Sequence, residues 1–377
     1  MPTVPPPPGP GARVIVGLSG GVDSAVAALL LRQAGWQVQG LFLSNWEEED
    51  DDAYCTAARD FQDARAVAAE LGIVLHRAGF AVEYRERVFE HFLREHRAGR
   101  TPNPDVLCNR EIKFGVALSW ARRLGASHFA TGHYARLEAA ADGPALYKAR
   151  DTAKDQSYFL HAVAREELAA TLMPLGELRK SEVRERARRA GLPVFDKPDS
   201  TGICFIGERP FREFLARYVA RTPGAIESPD GEALGMHDGL AFYTLGQRTG
   251  LHIGGRCGRA QAPWYVAAKD TARNVLIVVQ GHDHPLLESS WLRTGPWHWL
   301  AAARRERFHG TVKVRYRQDD QEARLQPATD DGMTVVFEVP QRAVTPGQYA
   351  VAYEGERCLG GGVIESLSPA AQLSAAA

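Results

Sequence analysis

Cysteine is scarce in this chain, and its pattern is not that of a scaffold. Five are present among 377 residues, Cys55, Cys108, Cys204, Cys257 and Cys358, an odd number with no Cys-x-x-Cys pair. That argues against a disulfide framework and a structural zinc site, and fits thiols kept in a reducing, cytoplasmic setting. No apolar run approaches the ~18 residues of a membrane helix, so no membrane partner is expected. Met1 to Gly11 is Pro/Gly-rich and lacks the apolar core of a signal peptide, so it reads as a flexible tail and secretion is not expected. Charge of one sign is missing too: 45 Lys and Arg face 46 Asp and Glu, a net charge of −1. The distribution is less even. Glu47 to Asp52 is an acidic run, and basic residues gather in Arg179 to Arg189 and in Lys313 to Arg317. The plain reading of each is a solvated face. There is no internal repeat.

What is present is a change of character along the chain. The first half alternates short apolar runs with helical stretches. Val14 to Val16, Val38 to Phe42, Ile73 to His76 and Ser127 to Thr131 read as strands. Ala25 to Ala34, Thr56 to Leu71, Val82 to Arg97 and Asn109 to Leu124 read as helices. That order implies an α/β domain with a doubly wound parallel sheet. After about Gly207 comes one helical stretch, Phe211 to Val219. Short strands punctuated by Gly and Pro follow, among them Val275 to Val279, Gly310 to Tyr316, Met333 to Val339 and Gln348 to Tyr353. The expected division is a tail over 1–12, a catalytic α/β domain over 13–207, a central β-rich domain over 208–284, a C-terminal barrel-like domain over 285–367 and a disordered tail over 368–377.

The sharpest local signal is Gly17-Leu18-Ser19-Gly20-Gly21-Val22-Asp23-Ser24, between a strand and a helix start. Unpaired backbone N–H groups and the helix dipole make an anion site there. Gly20 and Gly21 let the backbone approach a phosphate, and Ser19 and Ser24 offer hydroxyl donors. Asp23 is placed to hold Mg²⁺ that arrives with a nucleotide. Neither Gly-x-x-x-x-Gly-Lys-[Ser/Thr] nor Gly-x-Gly-x-x-Gly is present. The loop resembles the Ser-Gly-Gly-x-Asp-Ser loop of the PP-loop ATP pyrophosphatases, which implies ATP as substrate and adenylation as chemistry.

Two cysteines stand out. Cys108 follows the proline-stiffened Thr101-Pro102-Asn103-Pro104-Asp105 and lies at or just before the helix expected from Asn109, where the dipole favours a thiolate. Asp105, three residues earlier, is a candidate acid or base. Cys204 lies in Asp199 to Gly207, between Gly202 and Gly207. A sulfur-transfer enzyme needs one thiol to carry sulfur and often a second to resolve it. A buried Cys acting as a small hydrophobe is the alternative for both, and it is the reading given to Cys55, Cys257 and Cys358.

In combination the motifs resemble the tRNA-uridine 2-sulfurtransferases, over about residues 13 to 366. The matching stretches include Gly17 to Ser24, Asn45 to Glu48, Thr101 to Phe114, Ala130 to Tyr134, Lys154 to Tyr158, Ser200 to Gly207, Tyr243 to Arg248, Val314 to Tyr316, Pro346 to Gln348 and Cys358 to Gly362. The resemblance implies that ATP binds at Gly17 to Ser24 with Leu43 and Gly132 on the adenosine side. It implies that the wobble uridine O2 attacks the α-phosphate, that Cys204 carries a persulfide from a partner sulfur-relay protein, and that Cys108 resolves it to a Cys108–Cys204 disulfide. Asp105 is implied as acid/base. Asn103, Pro104 and Asp105 are implied to contact a flipped-out base. His133, Lys154, Asp155, Gln156, Arg315, Tyr316 and Gln348 are implied to face tRNA. In the family the tRNAs are those for Lys, Glu and Gln, and a monomer on one tRNA is expected. Two other classes stay open on the residues alone: a PP-loop synthetase acting on a small molecule, which has no use for the two cysteines, and a non-catalytic RNA binder using only the β domains.

Overall fold

The apolar runs of the first half assemble in a computed structural model as a five-stranded parallel sheet. The structure describes residues 4–46, 56–199, 210–254 and 262–368. β1 (Arg13–Gly17), β2 (Gln37–Ser44), β3 (Leu75–Gly79), β4 (His128–Ala130) and the short β7 (Thr171–Leu172) lie in the order β3-β2-β1-β4-β7. Val14, Ile15 and Val16 of the central strand are fully buried, as expected for a strand covered on both faces. One face packs on α1 (Val22–Gln33), α2 (Thr56–Glu70) and Val183 and Ala187 of the helix Lys180–Arg189. The other packs on Phe114, Ala117, Leu118 and Ala121 of a helical stretch over 104–123. The strand order reverses between β1 and β4, so the crevice above their carboxyl ends is where such a sheet binds ligands.

Three local expectations differ. The helix carrying Cys108 starts at Pro104, not Asn109. Asn103 is its N-cap, accepting from the Asp105 N–H at 3.2 Å, and Pro104 supplies the preset φ of a first helical residue. The N-terminal stretch is not a loose tail from residue 4 onward. Val4 and Ala12 pack on the core, and the Trp36 indole donates to the Pro5 carbonyl at 2.9 Å. Arg315 and Tyr316 lie in a turn beyond the strand Phe308–Lys313 instead of within it.

Two β domains follow. Gly224–Glu227, Ala233–His237, Trp264–Asp270 and Val275–Gln280 form a four-stranded sheet whose core runs into Tyr84, Val88, Phe89 and Cys108 of the first domain. In the last domain six antiparallel strands, Glu288–Thr294, Met333–Arg342, Gln321–Pro327, Phe308–Lys313, Tyr349–Glu354 and Arg357–Leu367, pair in that order. The last also pairs with the first, closing a barrel and leaving no open edge among them. A hairpin of the first domain, β5 (Ala135–Ala140) and β6 (Gly143–Lys148), joins this barrel through Arg357 opposite Tyr147. No described helix is long and apolar enough to cross a membrane.

Candidate nucleotide and sulfur-transfer site

The phosphate loop sits at the sheet's reversal point. It leaves β1 at Gly17 and enters α1 through Gly21, an N-cap that offers no side-chain cap to the first-turn amides. The loop closes on its own serines: the Ser19 N–H donates to Ser24 Oγ at 3.2 Å, and Ser24 Oγ donates to the Gly21 carbonyl at 3.1 Å. Gly20 has φ +78°, and a Cβ there would lie 2.3 Å from the Asp60 carbonyl oxygen of α2. No other residue type fits. Gly132, just after β4, presses on the opposite side, where a Cβ would lie 2.7 Å from both Asp23 C and Ser24 N. Leu18 and Val22 are buried under the loop, and Leu43, half-buried, is near the end of β2. The sheet thus gathers all ten residues singled out for ATP at the carboxyl ends of β1, β2 and β4.

Asp23 is engaged. Its carboxylate accepts from Lys180 Nζ at 2.7 Å on each oxygen and from the Tyr134 hydroxyl at 2.8 Å. Lys180 also meets Asp199 Oδ1 at 2.7 Å, and Lys154 Nζ donates to Asp199 Oδ2 at 2.7 Å. Burial alone would raise the Asp199 carboxyl, but the hydrogen bonds from Lys154 and Lys180 outweigh it and hold it at about 2. Burial, with the neighbouring Asp23 charge, drives the Tyr134 phenol up, so it stays a donor. Lys180 and Lys197 carry no motif signal of their own, and Tyr134 and Asp199 stand at the edges of the stretches Ala130 to Tyr134 and Asp199 to Gly207 without being singled out for the site. Lys180 was hidden in a basic stretch that reads as solvated, yet its side chain is only 12% exposed.

Cys108 is fully buried at the end of the first turn of its helix, where the backbone passes into wider π-type turns over Cys108–Ala117. Such turns recur at functional sites. Asp105, Asn103 and Pro104 are half-buried one turn earlier. Cys204 lies outside the described residues, as do Cys55 and Cys257. Burial pushes the Cys358 thiol up to about 12, so it is an unreactive core group.

The residues implied to face RNA divide into two sets. Lys154, Gln156, Arg315, Tyr316 and Gln348 are at least partly exposed. Gln348 Nε2 donates to the Thr101 carbonyl at 2.8 Å, tying the barrel to the root of the Asn103 loop. Tyr316 lies against Phe159 with ring centres 4.3 Å apart, and Arg315 donates to the Arg342 and Ala343 carbonyls, each at 2.7 Å. His133 and Asp155 are buried instead. His133 bonds Thr131 Oγ1 at 2.8 Å and lies on Phe114, and burial lowers its pKa well below the ordinary value, so it is neutral. Asp155 accepts from the Ala149 and Ser157 N–H groups and from Ser157 Oγ. Both side chains shape the surface from beneath; the contact with solvent is made by their neighbours.

Residues 12–208 match the tRNA methyl transferase HUP domain family, 212–280 the tRNA methyl transferase PRC-barrel domain family and 289–364 the aminomethyltransferase beta-barrel domain family. Curated relatives named tRNA-specific 2-thiouridylase MnmA include that of Marinobacter nauticus, 57% identical over 94% of this chain and 91% of the relative. That of Methylococcus capsulatus is 56% identical over 94% and 96%. Among solved structures, a 4-thiouridine synthetase–RNA complex with bound ATP aligns with a TM-score of 0.33 at 18% identity, covering 55% of this chain and 50% of that one. At this identity and coverage of the full-length relatives, the chain belongs to the tRNA-specific 2-thiouridylase (MnmA) family.

Proposed function

We propose that this protein thiolates the wobble uridine of tRNA at C2, using ATP to activate the oxygen that leaves. One observation carries the reading: Thr131 to Tyr134 joins the two chemistries. Gly132 and the Tyr134 hydroxyl hold the phosphate loop, while His133 packs on Phe114, in the helix that Cys108 occupies. The nucleotide site and a buried thiol thus share one wall.

The chemistry follows from the groups present. A carbonyl oxygen is a poor leaving group. Attack of uridine O2 on the α-phosphorus of ATP expels pyrophosphate and makes it a good one. Asp105 takes the N3 proton as that bond forms. The terminal sulfur of a Cys204 persulfide, loaded by a sulfur-relay protein, then bonds to C2, and the C2–O bond breaks to release AMP. Cys108 attacks Cys204 Sγ and breaks the sulfur–sulfur bond. Sulfur stays on the base as the thiocarbonyl, and the proton returns to N3. The remaining Cys108–Cys204 disulfide is opened by an external thiol reductant. The first-turn amides of α1 and the two loop serines bind the phosphates. Asp23 would hold an ATP-bound Mg²⁺ only by exchanging the Lys180 ammonium that meets both its oxygens and the Tyr134 hydroxyl that donates to one; such an ion would neutralise phosphate charge. Lys154, Gln156, Arg315, Tyr316 and Gln348 form the RNA side, where an arginine pairs with phosphate and a tyrosine ring stacks on a splayed base.

The test is nucleoside mass spectrometry on tRNA incubated with protein, ATP, Mg²⁺, a persulfide source and a thiol reductant. A 2-thiouridine that requires ATP and vanishes with Cys204→Ser is the expected result. ATP cleavage to AMP without a thiolated base, unchanged when both cysteines become serine, would instead indicate a small-molecule synthetase.

A further inference from the structure

Lys197 and Asp199 both act on the phosphate loop, Lys197 directly at Gly20 and Asp199 through Lys180. Lys197 Nζ donates to the Gly20 carbonyl at 3.0 Å, to Asp60 Oδ1 at 2.7 Å and to Asp63 Oδ2. All three ammonium protons are used, on the loop and on the adjoining turn of α2. Burial works against this charge, yet the Asp60 and Asp63 hydrogen bonds win and hold the ammonium more firmly protonated than an ordinary lysine. Asp199 gathers Lys154, Lys180 and Arg184, the last at 3.1 Å. Lys180 is the same ammonium that holds both oxygens of Asp23. The tripeptide therefore grips the loop at Gly20 directly and at Asp23 through Lys180, with a proline limiting the freedom of the backbone between the grips.

Asp199 precedes Cys204 by five residues in sequence. Five residues of extended chain reach at most about 17 Å. A residue fixed at Asp199 thus bounds where the sulfur-carrying thiol can be, relative to the nucleotide. We propose that Lys197 and Asp199 are positioning residues, which register the root of the Cys204 stretch against the ATP site so that sulfur is delivered to the base that ATP has activated. This rests on the thiolation reading above. The two half-reactions depend on the grip unequally: adenylation needs ATP and uridine in place, whereas sulfur delivery also needs Cys204 at C2.

The measurement compares the half-reactions in the full-length protein at saturating ATP. Asp199→Asn and Lys197→Gln are assayed for tRNA-dependent pyrophosphate release, which reports adenylation, and for 2-thiouridine, with a polysulfide as sulfur source. The expected result is a fall of about tenfold or more in 2-thiouridine formed per pyrophosphate released, since misplacing a reacting group by ~1 Å costs up to ~10²-fold. Lys197→Arg, which keeps the charge, recovers part of the ratio. A role in folding alone lowers both products together and leaves the ratio unchanged. That outcome, or an unchanged ratio in whichever variant folds, overturns the proposal. A wild-type protein that makes no 2-thiouridine refutes the thiolation reading itself and the proposal with it, and so is told apart from a failure of the grip alone.

Discussion

Replacing Gly132 by Ala tests the phosphate site at its tightest point. The added Cβ would lie 2.7 Å from Asp23 C and Ser24 N and 3.1 Å from Asp23 Cβ, against about 3.4 Å for ordinary contact. Backbone must give by about 0.7 Å, and no flexible side chain is there to yield instead. The atoms that move belong to the first turn of α1, whose N–H groups are the proposed phosphate donors. Two magnitudes follow. Overpacking of this kind costs ~1–3 kcal/mol, a few degrees in the melting midpoint at ~2–4 °C per kcal/mol for a domain of this size. A shift of most of an ångström in the donors lowers ATP affinity by ~10–100-fold. Calorimetric titration of ATP beside a thermal melt reads both. Gly235→Ala is the control, because a Cβ there meets nothing within 4 Å. A Gly132→Ala protein that binds ATP within about twofold of wild type refutes the placement of the triphosphate on this turn.

Asp155→Ala and Lys154→Gln separate burial from contact in one loop. The first strips partners from two buried N–H groups and takes from Lys313 one of its two carboxylates, at 3.9 Å, leaving Asp320 at 3.6 Å, so it lowers stability by ~2–3 kcal/mol. The second leaves the melting midpoint in place and lowers the salt slope of tRNA binding by ~1; filter binding over a range of salt together with thermal melts distinguishes them, and the opposite pattern refutes the assignment. Lys269 supplies a pH signature. Burial brings its ammonium from 10.5 down to about 8 while it donates to the Gly99 carbonyl at 2.8 Å. The unfolded chain binds this proton more tightly than the folded one, so stability rises as pH climbs from about 8 to about 10.5, by roughly 3 kcal/mol relative to Lys269→Met. Urea titrations of both proteins across that window measure it, and parallel curves would refute it.

The phosphate loop was readable because everything that defines it is local: a strand end, glycines, serines and a helix start within eight residues. The groups that hold it were not, because tertiary contact brings them from far along the chain. Tyr134 reaches Asp23 across 111 positions, Lys180 across 157, and Lys197 reaches Gly20 across 177. None belongs to a spacing that period or propensity could reveal. The helix start at Pro104 is a different case, since its signal was in plain sequence. Asn103-Pro104 is an N-cap followed by an N1 proline, and the helix is expected only from Asn109 when that proline is read as stiffening the chain ahead of the helix instead of opening it. The β5–β6 hairpin also carried its mark, Asp142-Gly143, in a stretch whose alternation is blunted by alanine.

That hairpin changes how the last domain is understood. Lys148 at its end pairs with Asp320 of the barrel and lies 4.2 Å from the Tyr353 ring centre. The Tyr353 hydroxyl meets Ser157 Oγ at 3.2 Å, and Ser157 donates to Asp155. Next to Asp155, Gln156 accepts from the Tyr134 N–H at 2.9 Å, and Tyr134 donates to Asp23. A line of hydrogen bonds therefore runs from the barrel interior through the Lys154–Gln156 loop to the phosphate loop. Because an unpaired group anywhere along a buried polar network is costly, the line acts as a unit. The barrel is thus a wall of the catalytic domain, not a module appended for RNA binding, and cutting it away removes the support on which the proposed RNA-facing loop and Tyr134 depend.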